Sequence, residues 1–169
     1  MDTLAHGLWA GFLAKGNEKS KKESWITVLF GVLPDLLSFG WVFVLIFYQR
    51  IVLQKVLSFG PGAVASPAIS FWTNHIYDYT HSLIIWGLVF GLVYLLTKKI
   101  YWPLYGWLLH ILIDIPTHTL QFYPTPFLWP ASNYRFSGIS WGQGWFMALN
   151  YGSMLVVYLF FKYKLRAKR

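Results

Sequence analysis

The chain has 169 residues, of which 56% are hydrophobic, 21% aromatic and only 12% charged, against roughly 25% charged in a soluble domain. Mean hydropathy is +0.46, so the composition argues against a soluble domain and for a single integral membrane domain over residues 1–169. With no cysteine, disulfides, thiolate metal sites and cysteine nucleophiles are excluded.

The formal net charge of +8 is clustered. Lys15, Lys19, Lys21 and Lys22 form one group, Lys98 and Lys99 a second, and Lys162, Lys164, Arg166, Lys168 and Arg169 a third. Basic groups beside apolar runs read as cytoplasmic loops rather than as a nucleic-acid surface.

In chain order, residues 2–14 are too short to cross roughly 30 Å of hydrocarbon and predict a half-inserted or surface helix. They lack the basic start of a cleavable signal peptide. Residues 15–24 predict a solvated basic loop. An apolar run follows over 25–48, with a break expected at Pro34-Asp35, where proline removes a backbone donor. Residues 49–70 carry Gly and Pro and predict a loop with room for a short interfacial helix.

Residues 71–79 are a polar-aromatic lead-in, and 83–97 an apolar span that ends at Lys98-Lys99. The next span is 101–116. A long loop rich in Pro, Gly and aromatic residues covers 117–142, suited to a membrane interface. The last span is 143–161, and the basic tail 162–169 follows it. The predicted fold is all-α: a polytopic bundle of about four spans plus a short N-terminal half-helix. All three basic clusters then fall on the cytoplasmic side of an inner membrane, together with the C-terminus.

The polar residues within these apolar runs carry the functional signal. All four aspartates that the chain contains (Asp2, Asp35, Asp78, Asp114) and all five histidines (His6, His75, His81, His110, His118) stand in or beside apolar segments. Ionisable groups are costly there and mark functional sites. His110 and Asp114 are four apart, as are Asp2 and His6, so each pair shares a helix face. At 1.5 Å per residue, Asp35, His110, Asp114 and His81 lie about 16–25 Å from the nearest basic cluster, in one layer. Imidazole and carboxylate without thiolate suit Zn²⁺, Mn²⁺ or Fe. His75, Asp78 and His118 are weaker candidates, because each could equally sit in water or among headgroups.

Four motifs occur in order: Met1-Asp2-Thr3-Leu4-Ala5-His6-Gly7, Gly31-Val32-Leu33-Pro34-Asp35, Thr80-His81-Ser82 and His110-Ile111-Leu112-Ile113-Asp114. Over residues 1–130 the chain resembles the LexA-binding, inner-membrane-associated hydrolases, the YdjM-like membrane-bound metal-dependent hydrolases. That family is in turn similar to zinc-dependent phospholipases C and S1/P1 nucleases. The resemblance implies a phospholipase C-like core in which Asp35, His81, His110 and Asp114 hold one metal. Asp114 would bridge to a second ion held by His6, with Asp2 as a further ligand. His118 is carried as a candidate ligand, although Pro116 and His118 stand about two residues closer to the motif than in the soluble enzymes.

The function these residues imply is metal-dependent hydrolysis of a phosphoester on a lipid or amphipathic substrate. It would use one or two divalent ions, zinc foremost, with Asp35 and Asp114 as catalytic residues. The expected partners are the lipid bilayer and that substrate, without nucleic acid. Two other readings use the same residues: a metal-ion or proton-coupled transporter, and a non-catalytic scaffold stabilised by metal. No ionisable Asp, Glu, His, Lys or Arg interrupts 83–97 or 145–161, so a transport pathway would end at mid-depth.

Overall fold

The computed structural model describes residues 1–54 and 67–167, with the backbone alone for 67–70 and 165–167. The described residues form six α-helices and no strand. α1 (Thr3–Gly16) is capped by Asp2, whose carboxylate accepts from the Ala5 N–H at 3.0 Å. Its fourteen residues reach about 21 Å, the short half-helix that the sequence predicts.

α2 (Lys21–Ile51) begins earlier and ends later than the 25–48 run. Ser20 and Glu23 form a reciprocal capping box that draws Lys21 and Lys22 into the first turn. The expected loop over 15–24 therefore shrinks to a turn. The expected break at Pro34-Asp35 is absent too, since the helix runs through Pro34. One lost donor is tolerated where neighbouring elements pack on both sides, and Ser38 donates to the Pro34 carbonyl at 2.8 Å. Asp35 consequently projects from a helical face rather than from a break.

α3 (Pro67–Thr80) and α4 (Leu83–Thr97) make one broken rod, bent by 55°. The bend falls at His81 and Ser82, and the Ser82 hydroxyl restarts the helix by accepting from Ile84 and Ile85 N–H at 3.1 and 3.2 Å. Of the loop expected over 49–70, residues 55–66 lie outside the described residues, and helix has resumed by Pro67. The lead-in 71–79 is helical.

α5 (Leu104–Thr117) covers most of the expected 101–116 span but has only fourteen residues, too few to cross a bilayer alone. α6 (Gly144–Ala167) closes the order. Two helical stretches, Lys21–Ile51 and Gly144–Lys164, are long and apolar enough to cross a membrane; the bent α3–α4 pair passes the same test taken together.

Small residues bring the elements close. A Cβ on Gly31 would stand 2.6 Å from the Ala10 Cβ, and one on Gly106 would collide with the Thr27 carbonyl. α1 and α5 thus lie against α2 at near-backbone distance, as small residues permit in membrane bundles. Lys19 lies over Trp102 at 4.7 Å and Lys15 over Phe161 at 5.2 Å. Those contacts bring the Lys15–Lys22 group to the same end of the bundle as Trp102, which follows Lys98 and Lys99, and Phe161, which precedes Lys162.

The irregular 117–142 stretch folds back onto the end of α5. Gly138, Ile139 and Trp141 donate to the carbonyls of His118, Pro116 and Thr117 at 2.7, 2.8 and 3.1 Å. Gly138 crosses so close to the Pro116 carbonyl that any Cβ would collide with it. Arg135 ties the far part of the loop to α3 by pairing with Asp78 at 3.0 Å.

Candidate metal centre

Four side chains from three places meet in the core: Asp35 from α2, His81 from the α3–α4 break, and His110 and Asp114 from α5. All are buried, and one ligand atom from each lies within 4.8 Å of the other three. His81 Nε2 is 3.7 Å from Asp35 Oδ1 and 3.5 Å from Asp114 Oδ2. His110 Nε2 is 3.7 and 3.2 Å from the same two atoms, and the two Nε2 atoms are 2.9 Å apart. A tetrahedron of ligands about 2.0–2.1 Å from a zinc ion has edges of about 3.3–3.4 Å. The observed spacings scatter around that value, so the cluster can hold a metal ion.

The orientation of the imidazoles fits the same group. His110 Nδ1 donates to the Gly31 carbonyl at 2.7 Å, and His81 Nδ1 reaches the Tyr77 carbonyl at 3.2 Å. A carbonyl accepts and does not donate, so the Nδ1 atoms carry the protons. In neutral rings both Nε2 atoms then present lone pairs to one another across 2.9 Å. Two facing lone pairs repel unless a cation lies between or beside them, and outer hydrogen bonds of this kind are the usual means of aiming a metal-binding histidine.

Local sequence explains each placement. His81 follows the last turn of α3, so Tyr77, four residues back, stacks on its ring with centroids 3.8 Å apart. The Thr80 hydroxyl lies 2.9 Å from His81 Nδ1 and 2.9 Å from Ser38. His110 reaches the Gly31 carbonyl because Gly106, one turn earlier, lets α5 touch α2. The Thr3 hydroxyl donates to Asp35 Oδ2 at 2.8 Å, leaving Oδ1 for the imidazoles.

The other carboxylate oxygen of Asp114 faces a second group. His6 Nε2 is 2.9 Å and His118 Nε2 3.3 Å from Oδ1. The Met1 amino group donates to Oδ1 and lies 2.8 Å from His118 Nε2. His6 stacks on His110 with ring centroids 3.7 Å apart. Its Nε2 is not aligned for a hydrogen bond with Asp114, and its Nδ1 has no partner among the described residues. His118 is held by Nδ1 donation to the Tyr123 carbonyl at 2.7 Å, an acceptor that it shares with the Tyr77 hydroxyl at 2.8 Å. Burial lifts the Tyr123 phenol above its ordinary range, so it stays neutral.

Of the sequence candidates, the structure brings together His6, Asp35, His81, His110, Asp114 and His118. Asp2 borders the same pocket as Asp35 and His118, its Oδ1 engaged in capping α1 and in accepting from the Tyr151 hydroxyl at 2.9 Å. His75 is exposed and bonds within α3 at 3.0 Å, and Asp78 belongs to the Arg135 pair. Sequence reasoning missed Thr3, Tyr77, Thr80 and the Gly31 carbonyl. Thr3, Gly31 and Thr80 stand in the ordered motifs and Tyr77 is spaced four residues from His81, but none of these signals gave a role.

A pocket of about 230 Å³ opens beside the cluster. Asp35, His118 and residues 1–3 form its polar wall, and Phe39, Phe43, Phe122 and Trp141 its aromatic wall.

No protein-family model, curated protein or solved structure matches the chain. Fold and site define the class at a coarse level: a helical protein with two candidate membrane-spanning helices and a buried Asp/His cluster able to hold a metal ion.

Proposed function

We propose that the protein is a multi-pass, membrane-embedded, metal-dependent hydrolase that cleaves a phosphoester on a lipid or amphipathic substrate. The observation that carries this reading is the paired Nε2 atoms of His81 and His110, flanked by two buried carboxylates and open to a pocket through Asp35. The ordered motifs support the proposed kinship with the YdjM-like hydrolases and a phospholipase C-like core, as does the way Asp114 faces a histidine group with each oxygen. In this reading the three basic clusters are cytoplasmic. α2, the α3–α4 rod, α5 with its flanking turns, and α6 make the four passes.

Asp35, His81, His110 and Asp114 would hold the ion, with zinc foremost among Zn²⁺, Mn²⁺ and Fe. A second ion beside Asp114 Oδ1 would share His6 and His118 with the Met1 amino group. A divalent ion supplies Lewis-acid polarisation of the phosphoryl group and a water whose pKa falls to about 7. Asp35, which lines the pocket and whose Oδ2 is steadied by Thr3, would serve as the base that takes the proton of the attacking water. The water oxygen bonds to phosphorus, the ester P–O bond breaks, and the leaving oxygen is protonated by solvent. Asp114 fixes the two histidine groups relative to one another.

A closed structural metal site is the second reading, favoured by the set of four buried donors, since structural sites leave no open position. The two diverge at Asp35. In the hydrolase reading, zinc-loaded Asp35→Asn in lipid nanodiscs loses about 10²–10⁴-fold in turnover of lipid phosphoesters. Turnover equal to that of the unmodified protein, or none from either protein across phosphomonoester and phosphodiester lipids, contradicts the proposal.

A further inference from the structure

Tyr77 touches both histidine groups. It is buried, and its ring and its hydroxyl meet different imidazoles. The ring face lies on His81, with centroids 3.8 Å apart and planes at 24°. The hydroxyl donates to the Tyr123 carbonyl at 2.8 Å. It also stands 3.4 Å from His118 Nδ1, which donates to the same carbonyl at 2.7 Å. The His118 Nδ1–H, the Tyr123 carbonyl and the Tyr77 hydroxyl thus close a triangle. Buried Thr125 lies beside the same hydroxyl.

That carbonyl sits on a backbone that needs holding. His118 caps α5, its own N–H donating to the Asp114 carbonyl at 3.1 Å, and the chain turns at once, with Thr119 bridged to Phe122. Tyr123 follows with φ 46°, in the left-handed region that a residue with a Cβ disfavours. Such a conformation persists where its surroundings fix it, and two buried donors on one carbonyl do so. The imidazole ring is rigid, so anchoring Nδ1 also aims the far nitrogen: His118 Nε2 points to Asp114 Oδ1, 3.3 Å away.

We infer that Tyr77 is a positioning residue that sets both histidine groups from one side chain. Its ring holds His81 in the first group, and its hydroxyl, by fixing the Tyr123 carbonyl, aims His118 at Asp114 in the second. The inference rests on the proposed second ion beside Asp114 Oδ1, which His118 Nε2 would help to hold. The two halves of the side chain are separable. Phenylalanine keeps the ring over His81 and removes only the hydroxyl, so it loosens the second group alone.

The test is a zinc titration of the full-length, detergent-purified protein in competition with a chromogenic chelator. It compares the wild type with Tyr77→Phe and Tyr77→Leu, and His118→Ala identifies the equivalent that depends on His118. The wild type is expected to take up about two equivalents. In Tyr77→Phe the His118-dependent equivalent binds about 10–100-fold more weakly, as loss of an outer partner predicts, and the other is unchanged. In Tyr77→Leu, which removes ring and hydroxyl together, both weaken. Where the leucine variant does not fold, Tyr77→Phe decides alone.

Both affinities unchanged in Tyr77→Phe, both lowered alike, or a wild type that takes up a single ion each overturn the inference. Failure of the hydrolase reading looks different. The two equivalents would then separate as expected while no lipid phosphoester is turned over.

Discussion

Around three of the four clustered side chains stands a group that aims it, and these are where single substitutions have the most specific consequences. Thr80 and Tyr77 hold His81, the Gly31 carbonyl holds His110, and Thr3 holds Asp35. Outer partners of metal ligands are worth about 10–100-fold in affinity. Thr80→Val should therefore weaken zinc binding about 10–100-fold without unfolding the protein, as read by competition with a chromogenic chelator. Unchanged affinity would mean that packing against Tyr77 alone positions the ring. The members of the cluster were legible in the sequence, because Asp and His within apolar runs are too costly to persist unless something there holds them. The placement of Asp2 was not legible: its four-residue spacing from His6 matches that of His110 and Asp114, but it precedes the helix and caps it through Oδ1. Spacing implies a shared face only when both residues lie within the helix.

Among the helices, the site depends on how closely α5 and α1 approach α2. Gly106→Ala would set a methyl group against the Thr27 carbonyl, where overpacking costs about 1–3 kcal/mol. The expected result is a lower melting temperature in detergent together with weaker metal binding, since His110 stands one turn away. A melting temperature equal to the wild type would show that the helices separate at no cost. Hydropathy predicts the apolar elements, but not their joints. The capping box at Ser20 and Glu23 starts α2 four residues before the apolar run does. Local rules make Pro34 a break, whereas the helix persists where α1 and α5 pack around that turn. Residues 71–79 look too polar for a helix preceding a span. Asp78 pairs with Arg135 and the Tyr77 hydroxyl donates to the Tyr123 carbonyl, while Asn74 and His75 face outward.

For the whole molecule, the question is how the bundle sits in a bilayer. The end that gathers Lys15, Lys19, Trp102 and Phe161 should face the cytoplasm. The absence of cysteine makes this directly testable, since single cysteines introduced at Ser20, Lys99 and Ser132 report accessibility without background. In cells, Ser20→Cys and Lys99→Cys should be protected from a membrane-impermeant maleimide, and Ser132→Cys labelled. Labelling of Lys99→Cys from outside would refute the four-pass arrangement and with it the role of α5 as a pass. α5 is the sensitive element: fourteen residues reach about 21 Å, so it crosses only with the help of its flanking turns. The apolar helices were legible from hydropathy; which of them are full spans was not, because length in the folded chain is set by caps rather than by composition.

The functional reading depends on Asp35, His81, His110 and Asp114 holding a metal ion. The metal content of the detergent-purified protein, read by inductively coupled plasma mass spectrometry for the wild type and Asp114→Ala, decides it. Each oxygen of Asp114 faces one histidine group, so its removal should empty the centre. The wild type should carry about one to two equivalents of zinc, manganese or iron per chain and the variant almost none. Equal metal in both proteins, or none in either after reconstitution with each ion, would show that the cluster is not a metal site.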